Sequence, residues 1–140
     1  MEFMRLLWAV DHALQRTSKR MGATLGVTGP QRLVIRIVGR VPRIPAGELA
    51  RLLHLHPSTL TGVLKRLGRQ GLVRQQADPD DGRRILLILT AKGQRLNVES
   101  EGTVESGIRR ALAGMAPAKL AATREVLESI AAALEPSGGT

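Results

Sequence analysis

Residues 46–71 read AGELARLLHLHPSTLTGVLKRLGRQG, and the spacing of their apolar, proline and glycine residues decides the fold. Leu49, Ala50, Leu52 and Leu53 recur at helical steps between Ala46 and Leu53, which predicts a helix of about two turns. His54, Leu55 and His56 make a tight connection. Pro57 suits a first helical position, where its missing N–H removes no bond, and Leu60, Val63, Leu64 and Leu67 mark the buried side of a second helix. Gly71 stands where a left-handed cap is wanted. Two short helices joined by three or four residues form a helix-turn-helix pattern.

Upstream, Thr28, Gly29 and Pro30 signal a stop and a restart, with Thr28 or Gly29 as the cap and Pro30 at the first helical position. Leu33, Val34, Ile37 and Val38 then continue on a helix. Before it, Phe3, Leu6, Leu7, Val10, Leu14, Thr17 and Met21 recur at three- and four-residue steps, predicting a first helix of about 20 residues. Downstream the period changes. Leu72 to Gln76, the turn-rich Asp78-Pro79-Asp80-Asp81-Gly82 and Ile85 to Leu89 predict a β-hairpin with a charged tip, and Thr90 a helix cap. One long helix is expected from Ala91 to Met115, with Glu101, Val104, Ile108, Ala111 and Met115 as its seam. Gly93, Gly102, Gly107 and Gly114 each disfavour that helix by about 1 kcal/mol relative to Ala. A last helix after Pro117 carries Leu120, Leu127, Ile130 and Leu134, and 136–140 is expected to be a frayed tail.

These elements predict a mainly α chain, a winged helix-turn-helix with a two-stranded β-hairpin wing. A single domain, 1–140, is expected. Within it 30–95 form the DNA-binding lobe, while 1–27 and 96–135 supply N- and C-terminal dimerisation helices, because their apolar seams exceed what one small lobe can cover.

Charge is distributed to match. The chain has 21 Lys+Arg against 12 Asp+Glu, a formal +9, and residues 30–95 hold 13 of those cations but only 4 of the acids. The middle therefore accounts for the whole surplus, and a polyanion heads its expected partners. One Trp, one Phe and no Tyr give little on which to stack splayed bases, which argues against single-strand and RNA readers of that kind. With no cysteine, disulfides, Cys-ligated zinc and thiol chemistry are excluded, and a cytoplasmic setting is expected. The longest apolar runs, Ile85 to Leu89 and Ile130 to Leu134, are far shorter than the ~20 residues of a membrane span. No secretory signal is legible at the N-terminus.

Ser58, Thr59 and Thr61 open the second helix of the pair with small polar side chains, which let a helix approach bases and phosphates closely. Lys65, Arg66 and Arg69 lie later, where long cations reach phosphates; the plainer alternative is a solvated helix face. Arg83 and Arg84 sit at or beside the hairpin tip, where an extended cation can enter a narrow minor groove. The pair His54 and His56, with His12 remote, has no acidic or Cys ligand beside it, so a cap or phosphate-facing role for His56 is expected and no metal. Trp8 and His12, four apart on the first helix, could line a small-molecule pocket or simply be core and rim. There is no Walker loop, no His-Glu-x-x-His, no Gly-x-Ser-x-Gly elbow and no nucleophile with a base, so an enzyme is not expected.

Thr28 with Gln31, Glu48-Leu49-Ala50, Ser58-Thr59-Leu60-Thr61, Arg66-Leu67, Gly71-Leu72-Val73, Asp78-Pro79-Asp80-Asp81-Gly82-Arg83 and Leu89-Thr90 with Gly93 together cover about 25–95 in register. Over that stretch the chain resembles the multiple-antibiotic-resistance regulator (MarR) family of bacterial transcription factors. The resemblance implies a homodimeric repressor on a pseudo-palindromic double-stranded DNA operator. It assigns the minor-groove role to Arg83, with Asp81 orienting the guanidinium through a bidentate pair. It also implies an effector, commonly a small aromatic acid, and no cofactor. The alternative is a winged-helix protein-interaction module whose basic face meets an acidic protein.

Overall fold

The structure is a computed structural model that describes residues 1–135. The tail expected at 136–140 lies outside the described residues. By its internal contacts the chain divides into two compact units, Met1–Ser106 and a second from Gly107 on.

In the first unit α1 (Glu2–Leu25) is longer than expected and stops at Gly26, whose φ of 76° is left-handed. Of its apolar stripe only Met21 is buried, while Phe3, Leu6, Val10 and Leu14 stay exposed. α2 (Gly29–Arg40) starts in a capping box: the Thr28 hydroxyl accepts from the Gln31 N–H, and the Gln31 side chain accepts from the Thr28 N–H. Two of the orphan donors at this helix end are thereby satisfied. Pro30 falls at the second helical position instead of the first, which removes no bond either.

α3 (Ala46–Leu52) and α4 (Pro57–Arg69) form the helix-turn-helix. His54, φ 52°, turns the chain between them. α4 ends as its glycine demands. Gly71 has φ 69°, the Gly71 N–H bonds the Gly68 carbonyl at 3.0 Å and the Leu72 N–H bonds the Leu67 carbonyl at 2.9 Å, the two bonds of a Schellman motif.

β2 (Val73–Ala77) and β3 (Ile85–Leu89) make the expected antiparallel hairpin, with Val73 opposite Leu89 and Ala77 opposite Ile85. The sheet nevertheless has three strands, in the order β1-β3-β2, because β1 (Ile44–Pro45) pairs with Leu87 and Leu86 on the free side of β3. Two residues with a proline carry no period-two signal, which is why the wing reads as two-stranded from the sequence. Val34, Ile35 and Val38 of α2, Leu49 of α3, Leu60 and Leu67 of α4, and Leu72 and Leu87 at the sheet are each at most 2% exposed. They form one core that fixes α4 against α2 and the hairpin, each side chain stabilising by about 1.5–3 kcal/mol.

The long helix expected over 91–115 is instead two helices, α5 (Ala91–Leu96) and α6 (Val104–Leu112), with non-helical chain between them. The break has a tertiary cause. Arg32 of α2, 1% exposed, donates from Nε to Glu105 at 2.5 Å, from Nη1 to the Leu96 carbonyl at 2.8 Å and from Nη2 to the Val98 carbonyl at 2.5 Å. Arg36, one turn on, donates to the carbonyl and side-chain oxygens of Asn97 at 3.2 and 2.9 Å. These bonds satisfy carbonyls at the end of α5 and in the segment after it, so the chain can leave the helix there without stranding them. Glu101, assigned to the helical seam, lies in the intervening segment, and Gly102 adopts φ 74°.

α6 begins in the first unit and runs on into the second. There Gly114, φ 77°, follows it, and α7 (Pro117–Leu134) carries no fully buried residue. Among the described residues no helix is long and apolar enough to cross a membrane.

Candidate nucleic-acid interface

α4 divides cleanly by face. Leu60, Leu64 and Leu67 point into the core, whereas Ser58, Thr59, Thr61, Lys65, Arg66 and Arg69 are all exposed. At 100° per residue Ser58, Thr61, Lys65 and Arg69 form one stripe, and Thr59 and Arg66 lie beside it. Gly62 is on this face too, and a side chain there would meet nothing within 4 Å. Among the described residues no element therefore explains the glycine, and the surface over it is open to a partner's close approach.

The expected cap is present at the head of α4. The His56 ring Nδ1 accepts from the Ser58 N–H at 3.1 Å and lies 2.7 Å from the Ser58 hydroxyl. Thr61 donates its hydroxyl to the Pro57 carbonyl at 2.8 Å. That bond leaves the oxygen lone pairs facing out.

The hairpin tip places its charges by local chemistry. Asp81 Oδ1 accepts from the Arg83 N–H at 3.1 Å and lies 3.4 Å from Arg83 Nε. One carboxylate oxygen serves both donors, so the bidentate pair implied by resemblance is absent; the guanidinium is held at one corner and Arg83 remains 94% exposed. Asp78, which reads from the sequence as turn chemistry alone, has a second role. Its Oδ1 accepts from the Asp80 N–H at 2.9 Å and its Oδ2 lies 3.7 Å from Arg84 Nη1. Arg84 is thus tethered by a loose ion pair while Arg83 points into solvent.

Arg51 is a cation the sequence reading passes over. On α3, it lines with Glu48 the same groove as Arg83 and Arg84 of the wing. Its signal was available, since Leu49 and Ala50 take the buried side of α3 and leave Arg51 outside. Arg32 was missed in the opposite sense: it contributes to the positive surplus yet is buried and paired with Glu105 inside the chain, and its helical spacing to Ile35 places it inward. Trp8 and His12 are both exposed on α1 and do not line the groove by the wing.

A family model described as MarR family matches residues 25–84. An HTH-type transcriptional repressor of Mycobacterium tuberculosis is 28% identical over 125 residues, covering 89% of this chain and 90% of its own. The homoprotocatechuate degradative operon repressor of Escherichia coli is 32% identical over 107 residues, covering 76% of this chain and 72% of its own. Among solved structures, the PcaV transcriptional regulator from Streptomyces coelicolor, in complex with its natural ligand, superposes with a TM-score of 0.74 at 28% identity, covering 93% of this chain and 92% of that one.

Proposed function

We propose that this chain, which belongs to the MarR family of transcriptional regulators, binds a pseudo-palindromic duplex operator as a homodimer and releases it in response to a small-molecule effector. It is a DNA-binding regulator and not an enzyme. The observation that carries the operator reading is the exposed face of α4. A capped first turn of Ser58, Thr59 and Thr61 suits base edges and nearby phosphates, and Lys65, Arg66 and Arg69 follow where the helix passes the backbone, the arrangement of a helix entering a major groove. Arg83, exposed at the wing tip, is the minor-groove group of this reading, with Arg84 and Arg51 beside it on the phosphates.

The dimer is supported unit by unit. Phe3, Leu6, Trp8, Val10 and Leu14 of the first unit, and Ile108, Leu112, Met115, Leu127 and Leu134 of the second, are exposed in a single chain. Burying them needs a partner, and a two-fold partner would set the two copies of α4 about 34 Å apart, in successive major grooves. Sedimentation at micromolar concentration giving a 15.1 kDa species would refute it. Repression is supported by the relatives above, and a small-molecule effector by the ligand-bound PcaV regulator; a small aromatic acid is the class expected from the family resemblance, and Trp8 and His12 are the groups proposed to meet it. A cytoplasmic location fits this reading.

Selection of bound duplexes from a random pool, followed by titration at several salt concentrations, tests the function. The expected result is a two-fold symmetric consensus and a steep loss of affinity with salt. Lys65→Ala or Arg69→Ala should each reduce the log–log slope by about one unit. No duplex binding at low salt, with capture of an acidic protein instead, would replace the operator reading. Arg83→Ala should weaken the selected duplex about tenfold, most where the flanking minor groove is A·T-rich. Equal affinity of variant and parent would remove the wing from the interface.

A further inference from the structure

The His56–Ser58 contact fixes more than a helix start. The Ser58 N–H points at His56 Nδ1 from 3.1 Å. An N–H can only donate, so Nδ1 is bare and the neutral ring carries its hydrogen on Nε2. The Ser58 hydroxyl oxygen, 2.7 Å from the same nitrogen, then turns its own hydrogen toward the ring, so that the single Nδ1 lone pair is shared between the N–H and the hydroxyl. Its two lone pairs are left facing outward, so Ser58 is an acceptor without a donor. Such a group takes a hydrogen from the amino groups of cytosine or adenine, but it has none to give to a phosphate oxygen or to N7 or O6 of guanine.

A proton on the ring inverts this. Both nitrogens of an imidazolium donate, so Nδ1–H would donate to the Ser58 oxygen and free the serine hydrogen for an outside acceptor. The Ser58 N–H would lose its partner at the same time. We propose that His56 sets the hydrogen-bonding sense of the Ser58 hydroxyl, so that protonating this one imidazole changes what the head of α4 reads. The inference rests on the proposed placement of α4 against DNA and adds a specificity-determining residue to it.

His56 is exposed, and its side-chain polar contacts are both with Ser58. Among the described residues, Glu48 and Arg51 of α3 and Lys65 and Arg66 of α4 make no hydrogen bond or ion pair with it, and the nearest titratable group along the chain is His54, in the turn before α4. Asparagine caps helices as well as serine or aspartate does and does not titrate, so His56→Asn keeps a cap while removing the switch.

The test uses the full chain and a duplex selected from a random pool at about pH 8, with its single-base-pair variants, measured again at about pH 5.5. Ser58→Ala at the higher pH identifies the base pair that Ser58 reads. The parent's preference at that pair is expected to fall about three- to tenfold at the lower pH, the span of one hydrogen bond, and to stay constant in His56→Asn. A parent preference that ignores pH, no pair altered by Ser58→Ala, or an equal response in His56→Asn, overturns the inference and leaves the operator reading standing. A parent that binds no duplex overturns both. Nitrogen NMR of the free chain gives a readout without DNA: the neutral His56 ring should be the Nε2–H tautomer, and an Nδ1–H tautomer would overturn the inference by itself.

Discussion

Arg32→Ala is expected to lower the folding stability by about 3–5 kcal/mol, from the cavity left by a large buried side chain and the acceptors it leaves unpaired. The side chain is 1% exposed and serves three acceptors on the segment joining α5 to α6. Alanine would strand the Leu96 and Val98 carbonyls and leave the Glu105 carboxylate without its cation. Arg32→Met separates the contributions, since methionine fills much of the volume but donates to nothing. It should recover packing and still lose the polar part, about 1–3 kcal/mol for each buried acceptor left unpaired. Urea unfolding at fixed protein concentration measures both variants. A loss under about 1 kcal/mol for Arg32→Ala would mean that the segment does not depend on this residue.

The same pair gives a pH signature of definite sign. Burial alone would raise the Glu105 pKa, but the Arg32 hydrogen bond, its own backbone N–H, the Arg32 charge and the Thr103 hydroxyl together hold it below the ordinary 4.5. A carboxylate depressed in the folded state binds fewer protons folded than unfolded below that value. Its stabilisation is complete above the ordinary value and is lost as pH falls through the depressed one. The stability gap between the parent and Glu105→Gln should therefore be widest near neutral pH and close on acidification. A gap that widens in acid would reverse the assignment.

This clamp also marks where the sequence stops being readable. Element ends were legible where one or two adjacent residues set them: Thr28 with Gln31, His56 before Pro57, Gly71, and Thr90, whose hydroxyl accepts from the Gly93 N–H at 3.0 Å. Each is a local hydrogen bond or a φ preference, and local chemistry survives in a string of letters. The helix break after Leu96 is made by arginines more than sixty positions earlier, and Asn97 gives no sign of it. The same holds at the site. The exposed face of α4 followed from periodicity, whereas the partner of Arg84 and the single-oxygen hold on Arg83 depend on how a seven-residue tip closes between Ala77 and Ile85.

Gly93→Ala is expected to reverse the usual sign of a helical glycine substitution. In an open helix the change stabilises by about 1 kcal/mol, and Gly62→Ala on α4, where nothing lies within 4 Å, should do that. At Gly93 a Cβ would stand 2.1 Å from the Leu72 carbonyl oxygen and 3.1 Å from its carbon. Neither atom can step aside. Leu72 follows the Schellman cap of α4, its carbonyl accepts from the Thr90 N–H at 3.1 Å, and the Thr90 hydroxyl bonds the Gly71 carbonyl at 2.5 Å. α5 would have to lift away from the end of α4, loosening the Thr90 cap and the Lys92 bond to the Gln70 carbonyl. Overpacking of this kind costs about 3 kcal/mol, which for a chain of this length lowers the Tm by about 10 °C. The two alanine variants, melted side by side at equal concentration, should move the Tm in opposite directions. A rise in both would show that the approach of α5 to Leu72 is looser than the backbone distances require, and that the glycine serves no packing need there.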